Sequence, residues 1–218
     1  MAGNKKQIIV GAARVYLGPY DGTASSAPTK PAFVALTKYF TTMAGADGST
    51  NTGVGSTVTN WKDVGYTTEG IEVSYEPDYA DVQVDQLLDA AKIFKQGMTV
   101  SIRTSFAEAT LDNLLIAWGQ TATSRSSVAA FESELDIESG SLGAAPTERG
   151  LIAIGNAPEK SGTNAYGERV YHAYRVLSVE SVAFSLSRND PTVVPVSFRA
   201  LPDDFTTLYG RVRDRLNV

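Results

Sequence analysis

Alternation of apolar and polar residues with a period of two is the feature that most restricts what this chain can fold into. It recurs in four runs, at residues 71–75, 100–103, 182–186 and 194–198. Each run would place apolar side chains on one face of a strand and small or polar side chains on the other. The chain is therefore predicted to be mainly β, with a first strand at 7–17.

One short α-helix is predicted at about 110–118. Thr110 is a suitable N-cap, and Gly119 is a suitable stop signal. Four apolar side chains at spacings i, i+3, i+4 and i+7 form a stripe that predicts packing on a sheet: Leu111, Leu114, Leu115 and Trp118. The alternative interpretation of this stripe is a surface for a partner. A second, shorter helical turn is predicted within 85–94.

Size and composition favour one domain spanning residues 1–218. The chain has 218 residues, of which 43% are hydrophobic and 20% charged, enough for a sizeable core. The net charge of −5 argues against a protein that grips nucleic acid, because phosphate neutralisation needs an excess of Lys and Arg. Apolar runs are too short to span a membrane, and Arg14 interrupts the first of them too early for a signal peptide. We therefore expect no membrane partner and expect the protein to be made in a cytoplasm.

Long polar stretches interrupt the predicted strands. Residues 41–60 are rich in Gly, Ser, Thr and Ala, and a compact domain rarely carries such a loop unless it has a function or is disordered. We expect a flexible loop with four candidate contact residues: Thr41, Asp47, Asn51 and Asn60. A second insertion is predicted at about 120–150.

Catalytic, metal-binding and cofactor-binding motifs are not found, so no cofactor is predicted and the chain is not expected to be an enzyme. The absence of cysteine excludes a disulfide scaffold, a thiolate zinc site and a cysteine nucleophile. The loop that begins at Asp47 resembles a calcium loop but has Val58 where the twelfth-position Glu would stand. His172 is interpreted as a surface or interface residue. Asp203 and Asp204 could serve a glycosidase, but a turn or helix cap is the favoured interpretation.

An unusual acidic cluster accompanies the first predicted hairpin. Residues 63–89 contain eight acidic side chains and no Lys or Arg. A hairpin over 69–86 with its turn at 77–80 would bury an apolar face that comprises Ile71, Val73, Tyr75, Val82 and Val84. Its polar face would comprise Glu72, Ser74, Glu76, Asp81, Gln83 and Asp85. With a four-residue turn, Glu76 would face Asp81 and Glu72 would face Asp85. Like charges opposite one another weaken a hairpin slightly, so this face indicates either a function or an ordinary acidic surface.

A second hairpin is predicted over 180–201, with its turn at 188–191. Its apolar face would comprise Val182, Phe184, Leu186, Val194, Val196 and Phe198. Its polar face would carry small side chains that offer little to grip: Ala183, Ser185, Ser187 and Ser197.

Three segments resemble the major tail tube proteins of long-tailed, siphophage-type bacteriophages. The first contains a Trp-x-x-Val-Gly-x-Thr-x-x-Gly pattern at residues 61–70 that opens onto a strand. The second, 106–114, is a strand that leads into a short helix, and the third is the closing segment 194–203. The resemblance covers residues 61–115 and about the last forty residues, and it depends on the order and spacing of the segments.

This resemblance implies a β-sandwich or barrel subunit with a flanking helix. Six copies would form a ring, rings would stack into a tube, and a four-stranded sheet from each copy would join its neighbours around the lumen. The loop at 41–60 would become ordered against a neighbouring ring or subunit. Related bacterial secretion-tube proteins share this plan. The polar faces of the two predicted hairpins would line the lumen, where acidic and small side chains would repel passing DNA.

The implied partners are other copies of the chain together with tape-measure, tail-tip and tail-terminator proteins, with DNA only in transit. The implied location is the tail of the virion. Two alternatives stay open: another structural protein of the virion, such as a tail terminator or capsid decoration protein, and a β-sandwich module that binds a surface or carbohydrate.

Overall fold

The computed structural model describes residues 11, 13–20, 62–83, 89, 91–121, 124–129, 132–158, 167–204 and 206–216. Within these residues it contains one helix and ten strands. In chain order the elements are β1 Arg14–Pro19, β2 Lys62–Asp63, β3 Thr67–Val82, β4 Lys92–Phe106, α1 Leu111–Ala117, β5 Arg125–Ala129, β6 Glu132–Leu135, β7 Arg149–Ala157, β8 Gly167–Ser178, β9 Val194–Leu201 and β10 Gly210–Leu216. The predicted mainly β fold class with one short helix is confirmed.

Eight strands form one open antiparallel sheet in the order β2-β1-β7-β8-β9-β4-β3, and β10 also pairs with β8. Along β8, Gly167–Ala173 pairs with β10 and Arg175–Ser178 pairs with β9. Val176 pairs with β7 and β9 at once, so β9 and β10 share the edge of β8 that faces away from β7. The sheet therefore branches at β8. One part of its edge pairs with β10, and the other part pairs with β9, which β4 and β3 follow.

The largest core cluster lies on one face of this sheet, beneath α1, while Tyr16, Ile152 and Val170 are buried on the other face of β1, β7 and β8. Its largest side chains come from strands β1, β4, β7 and β9 and are almost fully buried: Leu17, Ile102, Phe106, Leu151, Val196 and Phe198. Burial of such side chains stabilises the fold by about 1.5–3 kcal/mol each. From the helix, Leu115, Ile116 and Ala117 join the same cluster. The helix thus covers the end of the sheet where β4 finishes.

The helix begins and ends where its sequence signals predict. The Thr110 hydroxyl accepts a hydrogen bond from the Asn113 N–H at 3.2 Å, which makes Thr110 the N-cap. Trp118 is the C-cap, and Gly119 follows it with φ of +66°, a conformation that favours glycine. The predicted helical turn within 85–94 is wrong at its described end, because β4 already begins at Lys92.

The prediction for the first hairpin has the wrong turn. Residues 77–80 do not reverse the chain but lie inside β3, which runs on for 16 residues and pairs with β4 instead of with itself. Pro77 suggested a turn because proline is common in turns, but proline is also tolerated in a strand whose outer edge is free. Of the predicted first strand at 7–17, residues 14–17 are strand, whereas the described residues 11 and 13 are not.

The prediction for the second hairpin is half wrong. Val194–Leu201 forms β9, but residues 182–186 form no strand. In the structure Val179 N–H donates to the Ser197 carbonyl at 3.2 Å, and the pairing stops there. The next position along that edge of β9 is Pro195, which has no N–H to donate, so the ladder cannot continue.

The described parts of the predicted insertion at 120–150 include a small hairpin. Strands β5 and β6 pair with each other in a separate two-stranded sheet, which ends before the loop that leads into β7. The loop at 41–60 lies outside the described residues. That the whole chain is one domain stays a prediction.

Candidate assembly surface

The most unusual surface of the molecule is the outer half of the β3–β4 hairpin. Strand β4 pairs with β9 only from Val100 to Phe106, so Lys92–Thr99 has β3 as its one described strand partner. The residues of β3 beyond Ser74 are exposed or half-buried on both faces. We call this projecting part, residues 75–82 and 92–99, the arm.

One flank of the arm is apolar although no described element covers it. Strict alternation along β3 places Val73, Tyr75 and Tyr79 on the side of the sheet that holds the core, and they are 47%, 58% and 57% exposed. Ile93, which lies opposite Asp81, falls on the same side and is 62% exposed. Contiguous apolar surface of this kind marks an interaction site in soluble proteins.

A lysine is held flat against this apolar flank. The Lys95 ammonium donates to the Tyr75 hydroxyl at 3.1 Å and lies 5.4 Å from the centroid of the same ring. Its stem therefore lies across the apolar strip instead of extending into solvent. The predicted burial of Val73, Tyr75 and Val82 in the core is wrong: all three are exposed, because the core ends near Ile71.

Beside the base of the arm, the opposite face of β3, β4 and β9 is polar along residues 72–76, 99–103 and 197–199, and we call this part the polar wall. It includes three of the predicted lumen residues in a new register, with Glu72 opposite Arg103, Ser74 opposite Ser101 and Glu76 opposite Thr99. The predicted pairing of acidic residues across this hairpin is therefore wrong. Glu72 faces a cation, and Ser74 donates a hydrogen bond to Glu76 at 2.9 Å.

Two arginines that the sequence did not indicate offset the acidic charges of the polar wall. Arg103 forms an ion pair with Glu180 at 3.0 Å, and both side chains are about half exposed. Arg199 lies opposite Ser101 on the same face and is exposed. These residues lie outside the acidic segment, so only the strand pairing could have shown that they join it.

The other predicted lumen residues do not all lie exposed on the polar wall. Asp81 falls on the apolar flank by alternation, and Gln83 lies just beyond the end of β3. Ser197 lies opposite Arg103 on the polar wall but is buried there. Ala183, Ser185 and Ser187 are exposed, but on a segment without strand structure. Asp85 lies outside the described residues, as do Thr41, Asp47, Asn51 and Asn60.

The four apolar positions of the predicted helix stripe are not equally covered. Leu115 is buried, whereas Leu111, Leu114 and Trp118 are half-buried. The Trp118 ring stacks on Phe184 at a centroid distance of 6.4 Å. The helix and the segment after β8 thus close over the core together.

His172 is buried, contrary to the surface or interface position predicted for it. Its ring meets that of Tyr174 edge-on at 4.7 Å. Burial, with a smaller effect from Arg211, lowers the pKa of His172 from 6.5 to about 4, so the ring is neutral at pH 7. It is a packing residue of the strand β8.

Asp203 closes a turn, as one interpretation of the Asp203-Asp204 pair predicted. Its buried carboxylate accepts hydrogen bonds from the Tyr20 hydroxyl at 3.1 Å and from Thr206 through its N–H and hydroxyl, at 2.9 and 2.8 Å. The described residues contain no cluster of His, Asp or Glu suited to a metal, and no helix among them is long and apolar enough to cross a membrane.

Among the described residues, the outer edge of β3 has no partner strand and the apolar flank of the arm is uncovered. Such surfaces are typical of structural subunits that associate with other chains. The sequence matches the family model described as phage tail tube protein over residues 1–214. The chain belongs to the phage tail tube protein family. Comparison with curated protein sequences gives no match.

Membership gives the coarse function. The protein is a structural component of the bacteriophage virion, located in the tail, and it assembles with itself and other tail proteins into a tube. The predicted resemblance to tail tube proteins is confirmed.

Proposed function

We propose that this chain polymerises as stacked hexameric rings into the conduit through which phage DNA is ejected. The observation that carries the proposal is the β3–β4 hairpin, whose outer edge, apolar flank and polar face are all left uncovered by the described parts of one chain. In a ring, a heterologous contact between copies covers the edge and closes after a fixed number of subunits. Tape-measure, tail-tip and tail-terminator proteins would complete the tail.

The polar wall of β3, β4 and β9 would face the lumen. Glu72, Ser74 and Glu76 would stand in repeated circles around it, with Arg103 and Arg199 between them. A wall of mixed charge and small hydroxyl groups presents no continuous basic track to the phosphates, so DNA would pass without being held. Screening at physiological salt has a length of about 8 Å, which confines these effects to the surface that a duplex would touch.

Electron microscopy of the purified protein tests the polymer. Long hollow filaments of uniform diameter with sixfold symmetry in cross-section are expected. Isolated rings that do not stack would contradict tube formation and favour a tail terminator, and monomers alone at high concentration would contradict self-assembly.

DNA retention tests the lumen. A variant with Glu72→Lys and Glu76→Lys would add a basic circle to the wall, and its tubes should retain duplex DNA at low salt and release it at high salt. The matched control is Glu132→Lys, an exposed charge on β6 in the separate small sheet. Equal retention by the control would place Glu72 and Glu76 away from the lumen.

A further inference from the structure

The segment between β8 and β9 behaves as a strand without a partner. Its burial alternates, with Val182 and Phe184 half-buried against the core and Ala183 and Ser185 exposed. No backbone hydrogen bond joins residues 181–187 to another described strand. Before the segment, the Val179 N–H binds β9, and after it the Asn189 N–H donates to the Ser187 hydroxyl at 3.3 Å in a local turn.

We propose that residues 181–187 of one copy pair as a β-strand with the outer edge of β3 in the next copy. The proposal rests on the proposed function, and it names the two segments that meet when a ring forms. Residues 181–187 and β3 lie at opposite ends of the β3-β4-β9 part of the sheet, so each copy offers one half of the joint on each side. That is the arrangement a head-to-tail ring requires.

The outer edge of β3 is open over a defined length. The Tyr209 hydroxyl donates to the Met98 carbonyl at 3.2 Å, so the backbone of Met98 points away from β3. Pro77, its partner across the ladder, must then direct its own backbone outward, as must Tyr75, Val73 and Ile71 by alternation. These residues form a row of outward donors and acceptors with no described strand against it.

Two residues limit that row. At one end Gly70 has φ of +72° and leaves the extended conformation. At the other end Pro77 lacks the N–H that would point outward, so pairing cannot continue through it. The free edge between them spans residues 71–76. A docking strand of about six residues fits this length, and residues 181–187 supply seven.

The side chains of the two segments match across the proposed joint. Both place apolar residues toward the core, Val182 and Phe184 on one side and Ile71 and Val73 on the other. Their outward residues, Ala183 and Ser185, are small and uncharged, so they add no charge beside Glu72. Main-chain hydrogen bonds would supply affinity and the alternating faces would set the register.

The chain is free of cysteine, so cross-linking can test the joint directly. A variant with Ser74→Cys and Ser185→Cys, assembled and treated with a short bifunctional maleimide, should give a ladder of covalent oligomers under denaturing conditions. Each single variant should give none beyond background. The competing partner for the edge of β3 is the outer edge of β10, tested by Ser74→Cys with Arg211→Cys. A ladder from that pair, and none from the first, would overturn the proposal.

A backbone test complements the cross-links. A proline removes a backbone N–H and disrupts strand pairing, and Leu186 lies within the proposed docking segment. Leu186→Pro should abolish tubes, whereas Leu186→Ala should retain them, since this side chain is 84% exposed. Both monomers should melt at the same temperature. Tubes from both variants would refute the joint but not the proposed function, which fails only if the unmodified chain forms no tubes.

Discussion

The base and the arm of the β3–β4 hairpin belong to the same two strands but have opposite environments. On β4, Phe106 at the base is 0% exposed, whereas Phe94 in the arm is 46% exposed. Ile102 and Ile93 differ in the same way, at 4% and 62%. At the base the helix and strand β9 cover the apolar side chains, and in the arm no described element does. Identical residue types thus stabilise the monomer in one half and are available to a partner in the other.

The largest contrast is expected between two phenylalanines. Phe106→Ala should lower the free energy of unfolding of the monomer by about 3–5 kcal/mol, since it leaves a cavity in the core. Phe94→Ala should lower it by less than about 1 kcal/mol. Urea unfolding of the two variants measures both values. A similar loss from both would mean that the arm is covered in the free monomer.

Lowering the pH from 7 to 4 should destabilise the folded chain through His172, which lies in β8. His172 has a pKa of about 4 when folded and 6.5 when unfolded, so between these values the unfolded state binds more protons. Its stabilising contribution is complete above pH 6.5 and is lost as the pH falls toward 4, by about 3 kcal/mol in all. Urea unfolding from pH 7 to 4 should show a shallower dependence for His172→Gln than for the unmodified chain. Equal slopes would contradict a buried neutral ring.

The next largest loss of folding stability is expected from removing the polar contacts beneath the helix. The buried Asn113 side chain donates to the Val64 carbonyl at 2.9 Å and to the Glu108 carbonyl at 2.7 Å. Asn113→Ala leaves these carbonyls without their donor, which should cost about 1–3 kcal/mol. Asp112→Ala, on the neighbouring half-exposed position, is the control and should cost less than about 1 kcal/mol. Thermal unfolding compares them, and an equal cost would rule out a special role for the amide.

The smallest effect on the monomer is expected in the arm. Tyr79→Ser should change the free energy of unfolding by no more than about 0.5 kcal/mol, because the side chain is exposed. The same variant should weaken assembly, which light scattering against concentration can follow. Normal assembly would show that the apolar flank is not a contact surface, whereas a large loss of monomer stability would remove the difference between arm and base.

Local signals in the sequence predicted the helix well and the hairpins poorly. Thr110 and Gly119 act on their own neighbours, so the helix limits could be read directly. The turn at 77–80 could not, because Pro77 and Asp78 suit either a turn or an edge strand, and the choice depends on whether β4 lies alongside. The regular spacing of Ile71, Val73, Tyr75 and Tyr79 through Pro77 was the available sign of one long strand.

The polar wall shows the same division. That Glu72, Ser74 and Glu76 share a face follows from alternation alone. That Arg103 and Arg199 stand among them depends on pairing between segments about 30 and 130 residues away along the chain, which no local pattern encodes.

By itself the sequence determined the mainly β class, the capped helix, the lack of cysteine and the family, because these depend on composition, short-range spacing and the order of segments. Only the tertiary structure decided which strands pair, where the core ends along β3 and why residues 182–186 form no strand despite their alternation. The physical reason is that a strand is completed by a partner. Its own residues supply the faces, but its hydrogen bonds and its burial come from distant segments or from another copy of the chain.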